Sequence, residues 1–207
     1  LEVQLRGGSL PLPVEILEVR TIGPSLGAEN VRRSLIAALS GLVLVGVFML
    51  LIYRLAGAVA VMALSLYALF NLAVYALIPV TLTLPGIAGF ILSIGMAVDA
   101  NVLIFERIKD ELRRGNTLIR SIETGFSEAF SSIVDGHLTT LISCAALFSL
   151  GTGLVKGFAA TLGIGVLLSL FTALTCTRTL LRFLMSYQGL RRATNFLPAR
   201  QLPTTAS

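Results

Sequence analysis

The sequence predicts an all-α polytopic membrane bundle of five transmembrane helices, with a short N-terminal β-strand segment left from an extracytoplasmic domain. Three observations predict this fold class. The 207 residues are 55% hydrophobic and only 13% charged, whereas soluble domains carry about 25% charged residues. The apolar residues form runs close to the roughly 20 residues that a spanning helix needs. The basic residues collect at the ends of these runs, which is typical of membrane proteins.

Residues 1–27 are assigned to the end of the extracytoplasmic domain and its junction with the membrane. Within them, residues 14–22 roughly alternate apolar and polar side chains, which predicts a β-strand with one wet face. Pro11, Pro13 and Pro24 flank this segment as breakers. Because one strand cannot bury a core by itself, we expect its partner strands upstream of Leu1.

Residues 28–185 are assigned to the transmembrane bundle. Each apolar run is long enough to cross a bilayer, and the runs are 34–53, 57–78, 86–105, 129–150 and 157–181. Residues 186–207 are polar and contain proline, so we expect a disordered tail.

Residues 106–128 separate the third run from the fourth and are predicted to be a cytoplasmic amphipathic loop. Apolar residues recur there at helical spacing, and polar residues lie between them. This pattern predicts a helix at the membrane interface, placed before the chain enters the bilayer. The apolar positions are Leu118, Ile122, Phe126, Ala129 and Ile133.

The basic residues are shared unequally between the two sides of the predicted bundle. One side receives Lys156 and the arginines of residues 1–33. The positive-inside rule places the other, more basic side in the cytoplasm, together with the C-terminus. The net charge of +5 therefore reflects topology, and we expect no nucleic-acid partner. The cytoplasmic group consists of Arg54, Arg107, Lys109, Arg113, Arg114, Arg120, Arg182, Arg191, Arg192, Arg200.

Two acidic residues lie inside the predicted spans, Asp99 in the third run and Asp135 in the fourth. A carboxylate at such depth costs about 2.5–3.5 kcal/mol on insertion scales. Helical rise places both acids roughly 10 Å from the cytoplasmic boundary, with Asn101 and His137 at neighbouring heights. Because this layer is too polar for a lipid-facing surface, we expect it to face the interior of the bundle.

Each of these polar residues has alternative interpretations. Asp99 is interpreted as a group that transfers protons or ions rather than as a structural hydrogen bond between helices. Asp135 either has a local role, capping its helix or lying in a water-filled vestibule, or shares in proton transfer. His137 is either an additional proton site, since histidine titrates near neutrality, or a hydrogen bonder.

Helical phase separates the polar residues of the third run. Gly95, Asp99 and Glu106 share one face, because four residues advance the helix by about 400°. Gly95 leaves space for a neighbouring helix or water one turn from Asp99. Asn101 points roughly 200° away from Asp99, so we expect it to serve a different helix contact.

The fifth run carries a stripe of small residues at intervals of four. Such a stripe allows a second helix to approach closely, as in other interfaces built on small residues. We therefore expect helix packing there, centred on Gly157, Thr161, Gly165 and Ser169.

The third run also resembles a known family. The segment Gly95-Met-Ala-Val-Asp99-Ala-Asn101-Val-Leu-Ile-Phe-Glu106-Arg107 resembles the fourth-span signature of SecD, the protein-export membrane subunits of bacteria. Residues 20–27, 126–135 and 151–162 are similar to the family's domain–span junction, fifth span and sixth-span start.

The resemblance has one departure. The family's fifth span typically reads Asp-Ala-Asn or Asp-Ser-Asn, whereas this chain has Asp135-Gly136-His137. This places in doubt any coupling that the family's asparagine supports.

The resemblance implies the C-terminal membrane part of a SecD half in the bacterial inner membrane. It implies a SecF-like subunit, the Sec channel complex and unfolded preproteins as partners, besides the lipid bilayer, and the proton-motive force as the energy source. It also implies that Asp99 is the proton-transfer residue, with Gly95, Asn101, Glu106 and Arg107 as its motif neighbours.

Other classes of function are less well supported by the sequence. Nucleotide loops, nucleophile elbows and metal-ligand clusters do not occur in it, so we expect no catalytic residues, no cofactor and no metal. Cys144 and Cys176 lie in apolar runs and are interpreted as inert thiols. Two alternatives stay open: a proton-driven small-molecule or lipid exporter half of the same superfamily, and a non-transducing membrane scaffold.

Overall fold

A computed structural model describes residues 24–78 and 83–186 of the chain, with side chains described for 29–78 and 83–185. Nearly all of these residues are helical, and no strand occurs among them. The predicted strand at 14–22 and the predicted tail after residue 186 lie outside the described residues. The elements are α1 (Pro24–Leu77), α2 (Leu84–Arg113), α3 (Leu118–Leu150), α4 (Gly153–Phe171), a π-helix (Thr172–Thr177) and α5 (Arg178–Ser186).

The helix α1 is folded back on itself at Arg54, whose backbone is non-helical with φ 48° and ψ −114°. A Cβ atom on Gly57 would overlap the carbonyl oxygen of Met49, so the chain turns too tightly there for any side chain. An ideal Cβ on Gly46 would lie 3.8 Å from the Val61 side chain. The two arms of α1 therefore run side by side and correspond to the first two predicted runs.

The number of long helices differs from the five predicted, because the turn at Arg54 leaves the first two predicted runs within one element, α1. The described chain has four helical stretches long and apolar enough to cross a membrane, not five, because α1 contains both of the first two runs. Only a small part of the most apolar stretch of α1 is buried within the chain. Its first arm exposes large apolar side chains, including Leu39, Val43, Leu44 and Leu51.

The helix α2 begins at a defined cap and extends beyond the predicted span. The Thr83 hydroxyl accepts a hydrogen bond from the Gly86 backbone N–H at 3.3 Å, and a proline occupies the first turn. The helix continues to Arg113, so residues 106–113 are helical rather than part of a loop. The connection to α3 is short, and Gly115 adopts a positive φ of 87° in it.

The helix α3 corrects the prediction of a separate amphipathic helix before the fourth span. It runs without a break from Leu118 to Leu150, so the predicted amphipathic segment is its first part. Ile122, Phe126 and Ala129 are all buried, because the apolar stripe packs into the core of the chain. The periodicity predicted the apolar face, but hydropathy alone could not tell one long helix from two.

The last three elements form one helical course from Gly153 to Ser186, which contains the fifth predicted run. A π-helix at Thr172–Thr177 interrupts its regular pattern. Such wider turns are rare and occur mostly as single-turn insertions in α-helices. No pattern in the sequence predicted it.

The main core lies where the Arg54 turn meets the ends of α2, α3 and α5. Phe105 and Ile108 of α2 are almost completely buried there, together with Ala129 of α3 and Leu181 of α5. The Tyr53 and Phe105 rings contact each other at a centroid distance of 5.7 Å. The helix α2 packs mainly against α4 and α3 and is the central element that positions the polar residues.

Candidate functional site

A cavity of about 120 Å³ opens between α2 and α3 at the level of Asp99. We call it the Asp99 cavity. It is large enough for several water molecules. Its lining consists of Met96, Asp99, Ala100, Leu103, Ser132, Ile133, Gly136 and His137.

The Asp99 side chain is exposed at the mouth of this cavity. Among the described residues it makes no hydrogen bond and no ion pair, although its charge acts on the His137 ring. A Cβ atom on Gly95, one turn earlier, would meet no atom within 4 Å. The space beside Asp99 is therefore open, and nothing in the described part of the chain fills it.

The structure corrects the expectation that the whole polar layer faces the interior of this chain. Asp99 and Asp135 are both exposed, whereas Asn101 and His137 are only 4% and 5% exposed. The sequence indicates that a carboxylate avoids lipid. It does not reveal whether the shelter comes from this chain, from water or from a second subunit.

His137 is fixed between α3 and α4 by both of its ring nitrogens. Nδ1 lies 2.8 Å from the Ile133 carbonyl oxygen, which can only accept, so this nitrogen carries a hydrogen and donates it. Nε2 lies 3.0 Å from the Ser169 hydroxyl and accepts from it when the ring is neutral. This geometry suits the hydrogen-bonding interpretation of His137, and the ring still borders the Asp99 cavity.

Asp135 is not brought together with Asp99. It lies outside the lining of the Asp99 cavity, although its neighbour Gly136 belongs to that lining. It is exposed on the outer side of α3, where the Thr139 hydroxyl donates to its backbone oxygen at 2.8 Å. We call this side the polar half of α3; its exposed members are Ser132, Asp135, Thr139 and Ser143.

Asn101 lies on the other side of α2 and joins it to the π-helix. Its side-chain amide donates to the Ala97 carbonyl oxygen at 3.0 Å. Its side-chain oxygen accepts from the Thr177 hydroxyl at 2.7 Å. The irregular turn that holds Thr177 is therefore attached to α2 only two residues after Asp99.

The stripe of small residues on α4 packs against a matching stripe on α2. A Cβ on Gly89 would lie 2.6 Å from the Thr161 hydroxyl oxygen, and a Cβ on Gly165 would overlap the Ser93 side chain. The Tyr67 hydroxyl donates to Ser93 at 2.6 Å. Sequence reasoning missed the α2 stripe, although its members recur at intervals of three or four. They are Gly86, Gly89, Ser93, Ala97 and Asn101.

Glu106 takes part in a charged cluster beside the Arg54 turn. The Lys109 ammonium donates to Glu106 at 3.0 Å and lies 4.0 Å from the centroid of the Tyr53 ring. Arg107 is half-buried one residue after Glu106. Sequence reasoning missed Lys109 and Tyr53, although the spacing of three between Glu106 and Lys109 is typical of a helical ion pair.

The comparisons with known proteins place the chain in a family. Residues 9–186 match the family described as protein export membrane protein SecD/SecF, C-terminal. The chain is 79% identical over 203 residues to the protein translocase subunit SecD of Prochlorococcus marinus, which covers 98% of this chain and 41% of that protein. It is 70% identical over 181 residues to SecD of Synechocystis sp., covering 87% of this chain and 38% of that protein.

A solved structure gives the same result. The crystal structure of SecDF, a translocon-associated membrane protein from Thermus thermophilus, is 42% identical and superposes with a TM-score of 0.81. The match covers 88% of this chain and 26% of that one. The chain thus spans about two fifths of the length of the curated relatives described above. The predicted all-α membrane bundle and the resemblance are confirmed: the chain belongs to the SecD family of protein-export membrane proteins and corresponds to its C-terminal membrane part.

Proposed function

We propose that this chain is the membrane part of a protein-export subunit that uses the proton-motive force, through Asp99, to assist the translocation of preproteins across the bacterial inner membrane. One observation carries the proposal. Asp99 belongs to a helix long and apolar enough to cross a membrane, and its unpaired carboxyl group lines a cavity large enough for several water molecules. An intramembrane acid without partners is costly and marks a proton or ion pathway by default.

A change in the charge of Asp99 can alter how α2 and α3 pack against each other. The Asp99 cavity lies between α2 and α3, so protonation changes the electrostatics of the gap between them. His137 borders the same gap and is hydrogen-bonded to Ser169 of α4. Each proton that crosses the membrane supplies about 2.3 kcal/mol per 100 mV, which is enough to bias a helix bundle with two arrangements.

The exposed polar surface around Asp99 supports the proposal that a partner subunit binds to this side of the chain. Asp99 and the polar half of α3 form a side of the chain that is poorly suited to lipid. A SecF-like membrane subunit is the proposed occupant, and the Sec channel complex is the proposed neighbour. The basic loop and the C-terminus lie in the cytoplasm on this proposal, as the positive-inside rule predicts.

The two alternatives receive less support. A structural role for Asp99 as a hydrogen bond between helices has no partner within the described residues. An exporter of small molecules would need a substrate cavity coupled to the proton site, and the Asp99 cavity of about 120 Å³ is smaller than the several hundred Å³ of ordinary ligand pockets.

The experiment compares Asp99→Asn with Asp135→Asn in the intact protein, assembled with its membrane partners in sealed vesicles. Preprotein translocation is measured with and without an uncoupler. We expect Asp99→Asn to abolish the component that the uncoupler removes, because asparagine cannot carry a proton.

The matched control removes the other intramembrane acid, which lies outside the Asp99 cavity. We expect Asp135→Asn to retain uncoupler-sensitive translocation. Full proton-driven activity in Asp99→Asn would refute the proposal. Indifference of the unaltered protein to the uncoupler would instead favour a scaffold.

A further inference from the structure

A second cavity, of about 290 Å³, lies between the first half of α3 and the junction of the π-helix with α5. We call it the Arg178 cavity, and it shares no lining residue with the Asp99 cavity. Its walls combine aromatic rings, one hydroxyl group and two charged groups. They are Glu123, Phe126, Ser127, Phe130, Leu174 and Arg178.

The exposed surface of α3 shows which environment the Arg178 cavity faces. Successive residues turn by about 100°, so the exposed residues of α3 separate into two halves. Ser132 belongs to the polar half and borders the Asp99 cavity, whereas Phe130 borders the Arg178 cavity. Phe130 begins an apolar half, whose other large exposed members are Leu138 and Phe148. The Arg178 cavity therefore opens towards lipid, on the side of α3 away from the polar half.

Basic side chains stand where this apolar surface ends. Arg178 makes no ion pair with any described residue, and its guanidinium lies 6.0 Å from the centroid of the Phe126 ring. Arg182, one turn later, is paired with Glu123 at 3.4 Å, but these side chains are 57% and 59% exposed. Such exposed pairs contribute little. Arg178 thus has no ion-pair partner among the described residues, because the one carboxylate of its cavity, that of Glu123, is paired with Arg182.

An anionic lipid has both groups that this site would bind, a phosphate for the guanidinium of Arg178 and acyl chains for the apolar surface. Guanidinium groups bind phosphate through paired hydrogen bonds, and the Ser127 hydroxyl can donate one more. Basic pockets between membrane helices on the cytoplasmic side are known to hold anionic head groups. A soluble phosphate would use the guanidinium but would leave the exposed ring of Phe130 facing water.

We propose that the Arg178 cavity binds the phosphate head group of an anionic glycerophospholipid, whose acyl chains lie against Phe130 and the apolar half of α3. Arg178 is the principal cation of the site, and Arg182 is the secondary one. Glu123 opposes the phosphate by like charge and holds Arg182 in an ion pair. This site is independent of proton transfer at Asp99.

The test titrates phosphatidylglycerol, and phosphatidylcholine with the same acyl chains, against the intact protein in mild detergent. Native mass spectrometry counts the bound lipids. We expect at least one phosphatidylglycerol molecule to be retained in preference to phosphatidylcholine. Arg178→Gln should weaken this preference about fivefold, since one basic residue contributes about that factor near a membrane surface. Glu123→Gln should strengthen binding, because it removes the repulsion and frees Arg182.

The matched control is Arg120→Gln, which removes an exposed positive charge from the start of α3 without touching the cavity. It should leave both affinities unchanged. Equal weakening by Arg120→Gln and Arg178→Gln would overturn the proposal, because it would indicate diffuse charge attraction. Equal affinity for the two lipids would do so as well.

Two further arms complete the design. Inorganic phosphate added at millimolar concentration should not displace the lipid, and efficient displacement would assign the site to a free anion instead. If Arg178→Gln fails to fold, Arg178→Lys and Glu123→Gln decide the question. Lysine should keep most of the preference, and a weaker or unchanged affinity in Glu123→Gln would contradict the inference.

Discussion

The two faces of α2 use similar residue types for opposite purposes. The face towards α4 and the π-helix, which we call the packed face, consists of Gly86, Gly89, Ser93, Ala97 and Asn101, all buried. The face with Gly95 and Asp99, which we call the open face, is exposed and contacts little. A glycine on the packed face permits close approach of helices, whereas Gly95 leaves space that no described residue uses.

The polar groups of the two faces differ in the same way. On the packed face, Ser93 accepts a hydrogen bond from Tyr67, and Asn101 accepts one from Thr177. On the open face, Asp99 has no hydrogen-bond or ion-pair partner among the described residues. Groups that are fully satisfied stabilise the fold, and a costly group left unsatisfied points to function. Substitutions on the packed face should therefore change stability, and those on the open face should change transport.

The largest expected effect on stability comes from adding one methyl group at a glycine of α4 that contacts the packed face, and one at a glycine of the open face itself. Gly165→Ala should lower the free energy of unfolding by about 1–3 kcal/mol, because its Cβ would overlap the Ser93 side chain of the packed face. Gly95→Ala should raise it by up to about 1 kcal/mol, because alanine favours a helix more than glycine and the site is open. Reversible unfolding in detergent measures both. Effects of the same sign would remove the distinction between the faces.

The next effect compares the polar residues of the two faces. Asn101→Ala should cost about 1–2 kcal/mol of unfolding free energy, because the buried Thr177 hydroxyl loses the acceptor at 2.7 Å. Asp99→Asn should leave the unfolding free energy nearly unchanged, since the side chain is exposed and unpaired. The same unfolding assay checks the pair. A large loss of stability in Asp99→Asn would indicate that Asp99 is a structural residue.

The sequence predicted most of the fold because hydropathy and helical period are local signals. The phase of α2 correctly separated Asn101 from Asp99, since their spacing of two residues sets the angle between them. The position of a carboxylate inside an apolar run likewise distinguishes Asp99 and Asp135 from the other acidic residues, without any knowledge of their neighbours in space. These inferences did not depend on which helices are in contact.

The remaining features depend on contacts between distant parts of the chain. The turn at Arg54 folds the two arms of α1 against each other, and neither proline nor glycine occupies residue 54 to signal it. The π-helix is tied to α2 through Thr177 and Asn101, which are 76 residues apart. The exposure of Asp99 depends on what covers the open face, and none of the described residues does so. Single-sequence reasoning could not reach any of these.

The smallest effect concerns His137. Its ring borders the Asp99 cavity, and its hydrogen bonds join α3 to α4 in the packed interior. If the histidine acts as a hydrogen bonder, the contact of Nε2 with the Ser169 hydroxyl at 3.0 Å should contribute about 1 kcal/mol. A double-mutant cycle of Ser169→Ala and His137→Ala measures this coupling directly, because it cancels the separate effects of each truncation. We expect a coupling free energy of about 0.5–1.5 kcal/mol and little change in uncoupler-sensitive translocation for Ser169→Ala. A coupling near zero, together with a large loss of translocation in Ser169→Ala, would move His137 from the packed interior to the proton pathway. In that case His137 of the Asp99 cavity, and not Asp99 alone, would take part in proton transfer.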